Sequence, residues 1–266
     1  MLQNKFKILI VGDVFGKVGR EVLMQTLTSL RKKEDISFLI VNGENTTNGR
    51  GINKNHYNFY NDLNIDVITL GNHSFDELEI YSFINESNNI IRPYNLIGKY
   101  PGVGYKIYSK FGLSISVFQF IGNTYMKERN ENPFLIAEEV IKRVESDIKI
   151  VDFHAEATSE KVAFGYLLDG LVDLVYGTHT HIQTVDLRVL NKGTYYISDI
   201  GMTGDLDSVI GIEKDSSIAK FKDGKMKTII KENYNLTQFS ALLLDIDLDT
   251  KKISNVERIY LVNGKD

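Results

Sequence analysis

Eight polar side chains of metal-binding type stand at the ends of five short apolar runs. Asp13 follows Phe6–Val11, Glu44 and Asn45 follow Phe38–Val41, and Asn72 and His73 follow Ile65–Leu70. His154 closes Lys149–Phe153, and His179 and His181 follow Val172–Tyr176 across Gly177-Thr178. The chain has no cysteine, which excludes thiolate metal sites, disulfides and a catalytic thiol. Imidazole, carboxylate and amide oxygen suit borderline or hard ions such as iron, manganese, zinc and magnesium. A carboxylate shared by two such ions holds them about 3.5–4 Å apart, the spacing used for in-line displacement at phosphorus. A hydroxide held between the cations becomes available near neutral pH, and the cations neutralise the phosphate oxygens that would repel it. In extended chain His179 and His181 would point to one side.

Each residue also has a plainer reading. Asp13 is a favoured helix cap, Glu44-Asn45 suits a turn, and Asn72-His73 suits either role. His154 could be a satisfied core histidine, and a lone His-x-His is commonly exposed. These readings must all hold together to remove a metal site. Gly12, Gly16 and Gly19 after a strand invite a dinucleotide-binding reading with Glu44 as the ribose acid. Their spacing is not G-x-G-x-x-G, Asp13 would face a pyrophosphate, and three histidines would be left without a role.

The elements that must position these residues alternate at first. Phe6–Val11, Phe38–Val41 and Ile65–Leu70 read as buried strands. Between and after them, Gly19–Lys33, Asn55–Leu63 and Asp76–Asn85 read as helices, the last with Asp76 as its cap. This β-α-β-α-β start predicts a parallel sheet with helices on its faces. In such sheets ligands bind outside the carboxyl ends of the strands. Val103–Tyr108 and Leu113–Phe120 read as a hairpin. Phe134–Val144 and Thr158–Leu168 read as helices, with Thr158 as a cap, and Lys149–Phe153 and Val172–Tyr176 as strands. Thr194–Ser198, Ala241–Leu248 and Lys252–Tyr260 complete the strands around a Gly/Asp-rich loop. The pattern predicts one α/β domain over residues 1–266 with a second, largely antiparallel sheet.

Composition narrows the function classes. Lys and Arg total 31 against 35 Asp and Glu, a net charge of −4, which argues against a large nucleic-acid footprint. Nothing approaches the ~18 apolar residues of a membrane span, and no signal-peptide core follows the two lysines within Met1 to Lys7. A cytoplasmic protein is expected. His56 lies away from any strand end and reads as surface. Asp152, Glu156 and Glu160 flank His154 and read as helix-start residues or as carboxylates that receive the other N–H of a metal-bound His, Glu156 before the others. Thr124, Tyr125, Met202 and Thr203 sit in loops that either line a substrate pocket or simply pack.

Gly12-Asp13, Gly43-Glu44-Asn45, Gly71-Asn72-His73, His154 and Gly177-Thr178-His179-Thr180-His181 resemble, in order and spacing, the motifs of calcineurin-like metallophosphoesterases. Phe15 stands where most of that superfamily has a ligating His, and Gly-Glu-Asn replaces Gly-Asp-x-x-Asp. Both departures match the YmdB-like branch. Ile10–Gly16, Val41–Asn45, Val151–Lys161 and Asp199–Gly204 extend the similarity over most of the chain. The resemblance implies a four-layer α/β/β/α sandwich with two mixed sheets. It implies two divalent or trivalent ions, iron or manganese before zinc or magnesium. Asp13, Asn45 and His181 would hold one ion, Asn72, His154 and His179 the other, with Glu44 as bridge and His73 as proton donor. The implied activity is hydrolysis of small 2′,3′- or 3′,5′-cyclic nucleotide phosphodiesters, with a homo-oligomer allowed. The alternatives are a phosphomonoesterase and a metal-bound, non-catalytic regulator that binds a nucleotide or a partner and signals through it.

Overall fold

The computed structural model describes residues 5–224 and 229–264. Met1 to Asn4, part of the stretch read for a leader, lie outside them. The strands are β1 (Lys5–Val11), β2 (Asp13–Val14), β3 (Ile36–Asn42), β4 (Val67–Thr69), β5 (Ile90–Ile91), β6 (Tyr105–Lys110) and β7 (Leu113–Ile121). They continue as β8 (Ile148–His154), β9 (Leu174–Thr178), β10 (Arg188–Val189), β11 (Tyr195–Ile197), β12 (Met202–Asp205), β13 (Leu236–Asp247) and β14 (Lys252–Gly264). The helices are α1 (Gly16–Leu30), α2 (Lys54–Asp62), α3 (Pro133–Lys142), α4 (Thr158–Leu167) and α5 (Lys214–Asp223).

Two mixed sheets pack face to face. The first runs β2-β12-β13-β1-β3-β4-β5 with β14 paired to β13, and the second runs β10-β11-β9-β8-β7-β6. β1, β3, β4 and β5 are mutually parallel, as are β7, β8, β9 and β11. The second sheet is therefore mostly parallel, antiparallel only in its outer pairs. This corrects the largely antiparallel sheet expected above: the late strands β13 and β14 join the first sheet instead.

Between the sheets lies a dry layer that includes Ile8, Ile10 and Ile40 from one sheet and Val117, Ile150 and Tyr176 from the other. Buried on both faces, these strands read as continuous apolar runs. Truncating one of the central isoleucines to Ala would cost about 2–5 kcal/mol. The outer face of the first sheet is covered by α1 through Val18, Val22, Leu23 and Leu27. The outer face of the second is covered by α3 and α4, where Phe164 stacks on Phe153 at 4.0 Å. The four-layer α/β/β/α arrangement follows.

Local chemistry sets the element ends. Asn53 and Asn132 cap α2 and α3 by accepting from His56 and Phe134 backbone N–H groups. The β6–β7 hairpin turns at Phe111-Gly112, both with positive φ, the backbone of a type I′ turn. Helix α1 starts and ends one turn earlier than its periodicity suggests, because Lys33 and Glu34 bond back to Leu30 and close it. The expected helix Asp76–Asn85 is a short 3₁₀ turn, Leu78–Ser82. Asp76 does not cap it, since its side chain is committed to His73. Thr158 is the first residue of α4 rather than its cap, which is Ala157. Asp13 caps nothing, and α1 begins after Phe15 with no side-chain cap. Helix α5 is hidden in the Gly/Asp-rich loop because it lacks an apolar stripe. Glu213 caps it, and Gly224 ends it in the left-handed region. Among the described residues no helix is long and apolar enough to cross a membrane.

Candidate metal centre

All eight strand-end residues gather along the carboxyl ends of β1, β3, β4, β8 and β9. Asp13 sits in β2, parallel to β12, and a Cβ at Gly12 would overlap the Gly201 carbonyl. Asn42 turns the chain after β3 by accepting the Glu44 N–H at 3.1 Å while donating to Leu70 O at 3.0 Å. Gly71 must be glycine: a Cβ there would collide with Glu44 Oε2 and His154 Nε2.

The ligand-type atoms form two neighbouring groups. His154 Nε2 lies 2.9 Å from Asn72 Oδ1, 3.1 Å from His179 Nδ1 and 3.1 Å from Glu44 Oε1. His181 Nε2 lies 3.2 Å from Asn45 Oδ1 and 3.9 Å from Asp13 Oδ1. Glu44, His154 and His179 have the compactness of a metal-binding triad. Glu44 Oε2 also receives the His73 N–H at 3.1 Å.

Hydrogen bonds outside each ring decide which nitrogen faces inward. His154 Nδ1 donates to Thr178 Oγ1 at 2.8 Å, and that hydroxyl donates to Asp152 Oδ1 at 2.7 Å. His181 Nδ1 donates to Ile210 O at 2.9 Å. His179 Nε2 pairs with Glu156 Oε2 at 3.0 Å. Glu156 thus receives the outer nitrogen of His179. Asn45 donates its Nδ2 to Gly49 O and presents Oδ1 to the centre. The inward atoms are lone pairs aimed at lone pairs, and Asp13 Oδ1 is buried with no hydrogen-bond partner. Such a set is favourable around a cation or a proton.

The electrostatics without an ion tell the same story. Burial alone would push His154 down, but the Glu44 carboxylate, aided by Asp13 and Asp152, lifts it to about 9. Burial would raise Glu44, yet His154 holds it at about 2. Burial drives His179 down to about 3, and the charge on His154 adds to this. Burial likewise raises Asp13 well above the carboxylate range. A proton on His154 occupies the role a cation would take.

The loop bearing His179 and His181 is strained. Their φ values are 97° and 66°, left-handed backbone that costs a non-glycine residue about 1–3 kcal/mol. The two rings converge through this bend, so the extended alternation expected from His-x-His does not apply. A buried ion pair braces it. Lys161 Nζ on α4 donates to Asp199 Oδ2 and to Thr178 O, both at 2.7 Å. Asp199 Oδ2 also accepts from the Thr180 backbone and hydroxyl.

His73 is held differently. Its Nδ1 lies 2.8 Å from Asp76 Oδ2, and the residue lines a cavity of about 520 Å³ with Phe15, Asn45, His179 and His181. Phe15, in the place of the customary ligand, packs edge-on against His181 at 5.7 Å. Arg50, Ile210, Lys220 and Phe221 line the same cavity.

Other expectations fare unevenly. His56 is half-buried rather than superficial, bonded to Thr47 Oγ1 at 2.7 Å. Asp152 is hydrogen-bonded to His154 through Thr178 rather than directly, and Glu160 instead binds the Asn123 and Thr124 N–H groups. Met202 and Thr203 are buried in β12, and Tyr125 is exposed; none of them lines the cavity. Thr178, Ile210, Lys161 and Asp199 are supports that site-by-site reading missed. The two threonines that flank His179 were the available signal.

The chain is 38% identical over 258 residues to the 2′,3′-cyclic-nucleotide 2′-phosphodiesterase of Bacillus subtilis (strain 168), covering 96% of this chain and 97% of that one. Among solved structures, a novel phosphatase from Mycoplasma pneumoniae is 35% identical with a TM-score of 0.90, covering 98% of this chain and 95% of that one. A hypothetical protein from Thermus thermophilus is 31% identical with a TM-score of 0.89, covering 97% and 99%. A 5′-nucleotidase precursor from the same organism shares the fold at a TM-score of 0.54 and 13% identity, over 97% of this chain and 54% of that one. The YmdB-like protein family matches residues 9–259, and the chain belongs to that family, with the fold of the metallophosphoesterases.

Proposed function

We propose that the chain is a metal-dependent phosphoric diester hydrolase acting on small cyclic nucleotides. The convergence of inward-facing lone pairs from five strand ends carries this reading. Asn72, His154 and His179 would hold one ion, and Asp13, Asn45 and His181 the other. Glu44, with one oxygen at His154 and the other accepting the His73 N–H, would be the carboxylate shared by the two. When bound, the ions supply Lewis acidity to the phosphoryl oxygens and lower the pKa of water toward neutrality.

The chain's own residues do the rest. Asp76 holds His73 Nδ1, which leaves Nε2 as the atom that gives a proton to the departing sugar oxygen. That proton matters because an alkoxide is a poor leaving group and imidazole titrates near neutral pH. Phe15, Ile210 and Phe221 offer an apolar wall for a base, and Arg50 and Lys220 offer cations to the phosphate. The relative from Bacillus subtilis, named for 2′,3′-cyclic nucleotides, supports the choice of substrate. Iron or manganese fits the mixed imidazole, carboxylate and amide set. One domain spanning the chain, located in the cytoplasm, completes the proposal.

The test is turnover of 2′,3′- and 3′,5′-cyclic AMP and of a phosphomonoester, with Mn²⁺ or with EDTA. Metal-dependent opening of the cyclic ester is expected. Turnover of the monoester alone would make the protein a phosphatase, and no turnover with metal bound would favour a regulator.

A further inference from the structure

A second cavity, of about 460 Å³, adjoins the turn that carries Asn72. Gly71 and Asn72 line the second cavity, and Asn72 Oδ1 is also one of the inward-facing atoms at His154. His73 lines the first cavity, while Asp76, bonded to its ring, lines the second. The ligand and the proton donor thus form a shared wall.

The chemistry of the second cavity is specific. Phe75 and Tyr100 stack at 4.6 Å with planes 25° apart, and Tyr81 leans on Phe75 at 5.1 Å. Tyr100 and Tyr81 are 38% and 46% exposed, so aromatic surface is left open in a cavity that meets the centre. Arg129 stands on the same wall, where a guanidinium can stack on a base or hydrogen-bond a sugar. Asp76 and Glu128 also line it and repel a further phosphate group. The combination fits an uncharged nucleoside.

A cyclic phosphodiester has both ester oxygens on one sugar and needs one cavity. An acyclic diester carries a separate organic group on each oxygen. Its two ester oxygens occupy different corners of the phosphate tetrahedron, so the two organic groups can enter different cavities. A hydrolytic centre flanked by two cavities serves that second kind of substrate.

We infer that the protein also cleaves linear dinucleoside monophosphates, placing one nucleoside in the His181-side cavity and the other against Phe75 and Tyr100. Water adds to phosphorus, one P–O ester bond breaks, and the departing sugar oxygen leaves as a hydroxyl with the proton from His73. This inference rests on the proposed phosphodiesterase reading. The test compares 2′,3′-cyclic AMP with adenylyl-(3′→5′)-adenosine on wild-type enzyme and Tyr100→Ala. Cleavage of both is expected from wild type. In Tyr100→Ala the KM for the dinucleotide should rise about tenfold, the loss of one base stack, with the cyclic substrate unaffected. A 2-aminopurine analogue of the dinucleotide should be quenched on binding wild type and not on binding the variant. Cleavage of the cyclic nucleotide with none of the dinucleotide would overturn the inference while sparing the phosphodiesterase reading. Equal effects of Tyr100→Ala on both substrates would do the same. Cleavage of neither would remove both.

Discussion

His179 turns Nδ1 toward His154 Nε2 at 3.1 Å while its Nε2 faces Glu156 at 3.0 Å. Two imidazole nitrogens this close repel unless a proton or a cation lies between them. Ligands bound about 2.1 Å from a six-coordinate ion sit about 3.0 Å apart along each edge of the octahedron. The separations from His154 Nε2 to Asn72, His179 and Glu44, 2.9, 3.1 and 3.1 Å, have that size. The left-handed backbone at His179 and the Lys161–Asp199 brace are what keep the pair at this distance.

Removing the carboxylate proposed to be shared by both groups should empty the centre. Glu44→Ala is expected to lose both ions, because one residue is asked to serve two sites. Metal analysis of the purified variant reads this directly, and full occupancy would contradict the bridge. Without Glu44 the buried His154 also loses the first charge that raises it, so the apo variant should carry this imidazole neutral. NMR titration of the ring would show its pKa falling.

His73→Ala should separate metal binding from turnover. The ring makes no hydrogen bond to an inward-facing ligand atom; its backbone N–H does, to Glu44, and alanine keeps that bond. Metal content should be unchanged and kcat should fall about 10²–10⁴-fold, the range for losing a general acid. The deficit should shrink for a diester with an acidic leaving group, which departs without a proton. Equal deficits on both substrates would take His73 out of the proton transfer.

Much of this centre was legible in the sequence, for a physical reason. Parallel strands buried on both faces are unbroken apolar runs, and the polar residue that ends each one marks the edge of the sheet. Asp13, Glu44, Asn72, His154 and His179 announce themselves this way. The supports do not. Ile210 acts through a backbone carbonyl, which any residue type carries. Lys161 is a charged residue on a helix, and only the tertiary structure shows that it is 2% exposed. Helix α5 has no apolar period because one of its faces lines a cavity. Asp76 reads as a helix cap until His73 is seen to take its side chain.

The Lys161–Asp199 pair should be far more costly to break than to replace. Both residues are buried, and Asp199 also accepts from Thr180 and Gly201. Lys161→Met leaves a buried carboxylate without its cation, and the loss should be about 3–5 kcal/mol. Urea unfolding of the metal-free protein measures it. Adding Asp199→Asn to Lys161→Met should recover part of the loss, since the uncompensated charge is gone. If the double variant were as unstable as the sum of the singles, the two side chains would not be coupled.

His56 should give the acid limb of stability a measurable slope. Burial, with a smaller push from Arg20, lowers its pKa from 6.5 to about 4, so the folded protein holds it neutral against Thr47. The unfolded chain takes up the proton first. Between the two values the unfolded state binds more protons, and stability falls as pH falls. The contribution is complete above about pH 6.5 and is lost as the pH descends through about 4. His179 is depressed as well, so wild-type protein alone cannot isolate the effect. His56→Gln keeps a polar partner for Thr47 and removes the titration. Unfolding free energies of the two proteins, measured from about pH 8 to about pH 4, should run parallel above the unfolded pKa of His56. Below it the variant should decline less steeply. Parallel lines across the whole range would mean that His56 is no harder to protonate in the folded protein than in the unfolded chain.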